Sequence, residues 1–267
     1  MSEQKVQCRL CEQFFDDLDM SEEHYPAHSV GNDDIIQLDF IKLADDFMGE
    51  NKELNRKIGN AIRNGENLQS TAEEYFDNSL AEDLYPKGRT ARTLCRKCNM
   101  FFGKYDEAYK KFFDEDGNPK KIKGFQEQTK LQIVKALYAK FLSIPETQGI
   151  KFDFLDFLRD PDAKKYNGEW RLYFVKRDYS TDPMGFKDIQ TGKIDWNMDG
   201  KMLVFELSDE KFIFNLLNFE KHDAFEMNNI FDIMEKNYSL VVGCHDMSGG
   251  YHGQMMLKRA FSGMEMT

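Results

Sequence analysis

The chain lacks any stretch of about 18 consecutive apolar residues, so it offers no membrane-spanning helix. Its opening residues, MSEQKVQCRL, lack the apolar centre of a secretory signal. Cysteine is scarce. Of five cysteines, four fall in two CxxC pairs, which is not the pattern of a secreted disulfide framework. Together these absences point to a reducing, cytoplasmic setting. Internal repeats and low-complexity segments are absent too.

Positive charge is also in short supply. Against 47 Asp and Glu there are 36 Lys and Arg, and the net charge of −11 argues against a generally basic nucleic-acid coat. The deficit is uneven. Residues 1–83 carry 7 Lys/Arg against 20 Asp/Glu, whereas residues 84–123 carry 11 against 5. The excess begins at YPKGRTARTLCRKC, around the second CxxC. Such a local strip suits a phosphate-contacting surface, and it equally suits a solvated face.

What remains is an ordinary globular composition, 41% hydrophobic and 31% charged, in 267 residues. That length allows one large domain or two modest ones, and the polar stretch near Gly124 reads as a boundary. Residues 32–83 read as helical, with Asp33 or Asp34 as a first cap and Ser70 or Thr71 as a later one. From Asn99, the residues Phe101, Tyr105, Ala108, Tyr109 and Phe112 recur at helical spacing. A second helix is expected over FQEQTKLQIVKALYAKFLS. Beyond it, EWRLYFVKR reads as a strand and KMLVFELSDEKFIFNLLNF as a hairpin around SDEK. FEMNNIFDIMEK reads as a short helix and YSLVVGC as a last strand.

Cys8 and Cys11, with Cys95 and Cys98, supply four thiolates, enough to close a tetrahedral zinc site. A redox dithiol competes with this reading, weakened because neither pair sits in a βαβ unit. Between the pairs stand Glu23, His24, Pro26 and Gly31. After the second come Asn99, Phe102, Gly103 and Asp106. In this order the residues resemble the HNH endonucleases, the zinc-supported members of the ββα-metal nucleases. The resemblance covers about residues 5–115, less the insertion at 32–83.

The resemblance implies an α+β protein: a ββα-metal nuclease module over 1–124 with structural zinc and a helical insertion, then a mixed α+β accessory domain over 125–267. It implies His24 as general base, with Glu23 and Asn99 as ligands of a catalytic Mg²⁺ or Mn²⁺. Asp106 would add a further ligand or a contact supporting the ligands, or is a solvated helix acid. The chemistry is consistent, since phosphodiester hydrolysis needs a base titrating near neutrality and a hard cation with oxygen ligands. DNA is the expected substrate, with RNA as the alternative, and Lys87, Arg89, Arg92, Arg96, Lys97 and Lys104 would hold its backbone. Gly103 would let a phosphate approach. HNH proteins with long accessory segments commonly belong to phage defence, mobile elements or phage genomes. Residues 125–267 would then bind a protein partner, form a homodimer or restrain the nuclease.

Two departures stand out. The family's middle Asn is Thr90 here, which puts positioning of the histidine in doubt. Asn99 replaces the last His, a variation these nucleases show. The rival class is a non-catalytic zinc-stabilised binding module. His28 reads as a surface residue and Cys244 as a free or buried thiol. His245, Asp246 and His252 in CHDMSGGYHG could mimic a metal site, though no scaffold is evident.

Overall fold

The computed structural model describes residues 5–48, 52–178, 194–223, 225–244, 250, 251 and 255. The chain starts with a small antiparallel hairpin, β1 (Lys5–Gln7) and β2 (Phe14–Asp16), whose loop carries Cys8 and Cys11. β3 (Met20–His24) follows. It pairs antiparallel with the distant β6 (Thr90–Cys95), and β6 runs directly into α4 (Arg96–Asp114). Two paired strands and a helix therefore bring both cysteine pairs and the Glu23-His24 pair into one neighbourhood.

The segment between these strands is only partly helical. β4 (Ile35–Leu38) and β5 (Ala81–Tyr85) form an antiparallel stem. Three helices rise from it: α1 (Phe40–Met48), α2 (Glu53–Asn64) and α3 (Leu68–Tyr75), the last continuing into a π-helical turn at 76–80. The expectation of helix from residue 32 fails for a local reason. Asp34 has φ +52°, outside the right-handed helical region. Asp39 caps the helix instead, its Oδ1 accepting from the Lys42 N–H at 2.9 Å. Likewise α3 is capped by Asn67, which accepts from Gln69 and Ser70, rather than by Ser70 or Thr71. Leu54, Tyr75, Phe76 and Leu80 give this insertion a small core of its own.

Beyond α4 the next helix expected, over residues 125–143, is present. α5 (Glu127–Ser143) opens with a reciprocal cap between Gln126 and Thr129. Every residue from Ile133 to Ile144 is buried, so this helix runs through the interior. The short α6 (Leu155–Arg159) follows. The largest sheet comprises β7 (Arg171–Asp178), β8 (Ile194–Asp199), β9 (Met202–Ser208), β10 (Phe212–Leu217), β11 (Asn228–Asn229) and β12 (Val242–Cys244). Its order is β11-β7-β10-β9-β8, with β12 parallel to β7 and the other pairs antiparallel. The expected hairpin is β9–β10, in register from Ile213 opposite Ser208. The helix expected at FEMNNIFDIMEK shrinks to β11 and one turn at Ile230–Asp232. Asn228 explains this: its side chain bonds Ser239 and Val241, drawing that backbone against the sheet.

The sheet packs on α4 through aromatic contacts, among them Phe112 stacked on Phe212 at 5.7 Å and Tyr109 against Phe214. One hydrophobic core holds Met20, Leu94, Phe102, Tyr138, Phe174 and Phe214 together, on both sides of Gly124. The protein is thus a mixed α+β structure with small sheets and, among the described residues, six α-helices. Among those residues no helix is long and apolar enough to cross a membrane. His245, Asp246 and His252 lie outside the described residues.

Candidate functional site

The four cysteines converge. One sulfur from each of Cys8, Cys11, Cys95 and Cys98 lies within 4.8 Å of all the others. A tetrahedral zinc–thiolate centre, with Zn–S near 2.3 Å, places its sulfurs about 3.8 Å apart, so a small contraction would close the shell. Three are buried and Cys11 is half-buried. The Cys95 N–H also points at the Cys8 sulfur at 3.3 Å, the sort of amide contact that supports a metal-bound thiolate. Burial, together with the Cys95 and Cys8 sulfurs beside it, pushes the Cys98 thiol well up. A divalent metal bound to the four sulfurs would favour the Cys98 thiolate against that rise. The donor set therefore fits a metal such as zinc.

His24 ends β3 opposite Thr90. Its Nε2 lies 3.2 Å from the carbonyl oxygen of Lys87. A carbonyl can only accept, so Nε2 carries a proton, and in the neutral ring Nδ1 keeps its lone pair. His28 meets the His24 ring edge-on at a centroid distance of 5.5 Å, and its own side chain is exposed.

The loop that presents Lys87 is locked by a residue the sequence did not flag. Asn32 is fully buried. Its amide nitrogen donates to Pro26 at 2.7 Å and to Arg89 at 2.9 Å, and its Oδ1 accepts from the Arg89 N–H at 2.7 Å. These bonds join the loop after His24 to the loop before β6. Gly88, at φ +75°, completes the fit, because a Cβ there would collide with the Asn32 carbonyl. Where the family pattern has an asparagine, Thr90 is exposed at the start of β6.

Glu23 faces inward and is 5% exposed. Its Oε1 accepts a bond from Lys140 of α5, and Lys140 also bonds Asp106 of α4 at 3.1 Å. Burial raises the Glu23 carboxyl above its ordinary range, with Lys140 opposing that rise. For Lys140, burial alone would lower the ammonium, but the Asp106 and Glu23 charges outweigh it and raise it. Asn99 stands in the first turns of α4, where its amide nitrogen donates to Ser21 Oγ at 2.7 Å. That bond turns its carbonyl oxygen away from Ser21. Glu23 lies two residues along β3 from Ser21, with an irregularity in the strand register between them. Asp106 is seven residues beyond Asn99, about 10.5 Å along the helix, and it faces Lys140.

Family profiles, curated proteins and solved structures yield no match to this chain.

The basic residues divide into two groups. Lys87, Lys97 and Lys104 are exposed, with the Lys104 ammonium 4.3 Å above the Phe101 ring. Lys97 and Lys104 are seven residues apart and share one face of α4. Arg89 is half-buried over the Tyr85 ring. Arg92 and Arg96 make bonds within the chain. Arg92 pairs with Asp17 at 2.7 Å and Glu22 at 2.9 Å, and Arg96 donates to the Leu18 carbonyl. Gly103 is exposed, and a Cβ there would meet nothing within 4 Å.

Proposed function

We propose that the chain is a zinc-supported, metal-dependent endonuclease of the HNH type that hydrolyses phosphodiester bonds in DNA. The observation that carries this reading is the His24–Lys87 hydrogen bond, at one end of the β3–β6 pair whose other end holds Cys95 of the four-cysteine cluster. It leaves Nδ1 as a proton acceptor at the end of a strand whose neighbours offer oxygen donors.

Zinc on Cys8, Cys11, Cys95 and Cys98 would tie the β1–β2 loop to the start of α4, fixing the strand that bears Glu23 and His24 against Asn99. Glu23 and Asn99 would hold Mg²⁺ or Mn²⁺, which supplies charge stabilisation for the phosphate and the leaving oxygen. His24 Nδ1 takes the proton from the attacking water, while the Lys87 carbonyl holds the ring and stabilises the imidazolium that forms. Asn32 holds the Lys87 loop in register. Lys87, Lys97 and Lys104 offer uncompensated charge to the backbone, whereas Arg92 already faces two acids. The expected products carry 5′-phosphate ends. A role in phage defence or on a mobile element rests on the resemblance alone.

A second reading has one observation in its favour. Glu23 is already ion-paired with Lys140, as it would be in a zinc-stabilised binding module without catalysis. Incubation of supercoiled plasmid with purified protein separates the two. The nuclease reading expects nicking in Mn²⁺ or Mg²⁺ that EDTA abolishes, with 5′-phosphate ends. Retardation of the DNA without cleavage in either ion would favour the binding module.

A further inference from the structure

Lys140 lies in the last turn of α5, and its side chain is 6% exposed. Its ammonium joins three elements. It bonds Glu23 Oε1 on β3 and Asp106 Oδ2 on α4, the latter at 3.1 Å. Two carboxylates this close, one of them deeply buried, repel each other strongly unless a cation lies between them. The ammonium supplies one positive charge against two negative ones, and the trio keeps a net charge of −1. One acceptor also goes unused, because Asp106 Oδ1 is buried without a hydrogen-bond partner. The arrangement is therefore a cation position with a one-charge deficit, filled by a side chain. Asp106 is 28% exposed, which gives ions a route to it.

We infer that Lys140 is a positioning residue, a tethered cation that fills the place between Glu23 and Asp106 and confines any divalent ion on Glu23 to the Asn99 side. The second half of this statement rests on the nuclease reading. The first half does not. Residues beyond Gly124 thereby complete the acidic site, and Asp106 acts on it through Lys140 rather than as a direct ligand.

The test uses the full chain with its zinc retained, titrated with Mn²⁺ while free ion is counted by electron paramagnetic resonance. Lys140→Ala opens space for an ion, and Lys140→Gln keeps the volume and offers an amide oxygen. Each is expected to bind one more Mn²⁺ per chain than wild type. Each should also melt at least about 5 °C higher at a Mn²⁺ concentration roughly 100 times its Kd. Lys140→Arg and the double variant Lys140→Ala/Asp106→Asn are expected to show no additional ion. A purely structural lysine would give no such gain. An unchanged Mn²⁺ count in both Ala and Gln variants, or failure of both to fold at saturating Mn²⁺, overturns the inference. The count needs no DNA. A chain that never cleaves but gains an ion in these variants refutes the nuclease and keeps the cation position. A cleaving chain that gains none does the reverse.

Discussion

Asn32→Asp is the sharpest probe of how His24 is held. The change preserves shape and removes two donors. In the wild-type protein the Asn32 amide nitrogen bonds the carbonyls of Pro26 and Arg89, and Oδ1 accepts the Arg89 N–H. An aspartate keeps the last bond and turns acceptor against acceptor at the other two. Each lost bond is worth about 1 kcal/mol, and each buried group left unpaired costs about 1–3 kcal/mol. The Tyr25 N–H still bonds the Arg89 carbonyl at 3.2 Å, so two lost bonds and one unpaired carbonyl, that of Pro26, sum to about 3–5 kcal/mol at pH 8, where the carboxylate is charged. Burial raises a carboxyl pKa, so protonation near pH 5 restores one donor and about 1–2 kcal/mol. The penalty falls on the loops at 25–31 and 86–89, so a local readout is required. Hydrogen exchange at the Arg89 amide should accelerate about 100-fold or more at pH 8, after correction for intrinsic rates. Cleavage should fall in parallel, because the Lys87 carbonyl no longer fixes the His24 ring. A change in protection of less than about threefold would refute the claim that Asn32 locks this loop.

Other outcomes follow from the same contacts. Cys98→Ser should reduce bound zinc from about one per chain to near zero by metal analysis. Asp209 is a buried residue of the β9–β10 turn. Burial pushes its carboxyl up to about 6, although Tyr109 and two backbone N–H groups of the turn bond it. A raised carboxyl favours the folded state below the unfolded value of 3.8, and that advantage is lost as pH rises through about 6. Wild type should therefore lose about 3 kcal/mol relative to Asp209→Asn between pH 3.5 and pH 8, measured by urea denaturation. A pH-independent difference would remove Asp209 as the cause. Lys97→Glu with Lys104→Glu should weaken duplex binding and flatten its salt dependence by roughly two ions, whereas Arg92→Ala should change the slope little because Asp17 and Glu22 already neutralise it.

Much of the site was legible because it is written in local patterns. Two CxxC pairs announce a four-sulfur cluster whatever separates them, and the structure brings those sulfurs together. The helices α4 and α5 and the β9–β10 hairpin follow from periodicity and turn residues. The stem β4–β5 was not legible, because Ile35-Ile36 pair with a partner nearly fifty residues on and neighbouring sequence carries no trace of it. Asn32 and Lys140 escaped for the same reason, as their partners lie 57 and 117 residues away. Lys140 did leave one signal. A lysine surrounded by apolar residues in KALYAKFLS must find a buried anion if that helix is central. Asn32, beside a glycine in a turn-like stretch, left none.

The central claim is that His24 is the base of a metal-dependent nuclease. The most direct measurement is the rate of plasmid cleavage at saturating Mn²⁺ for wild type beside His24→Ala, both folded and carrying zinc. Wild type should cleave, and the variant should be slower by about 10²–10⁴-fold with its plasmid affinity unchanged. Equal rates for the two proteins, or no cleavage by wild type in Mn²⁺ or Mg²⁺, would contradict it.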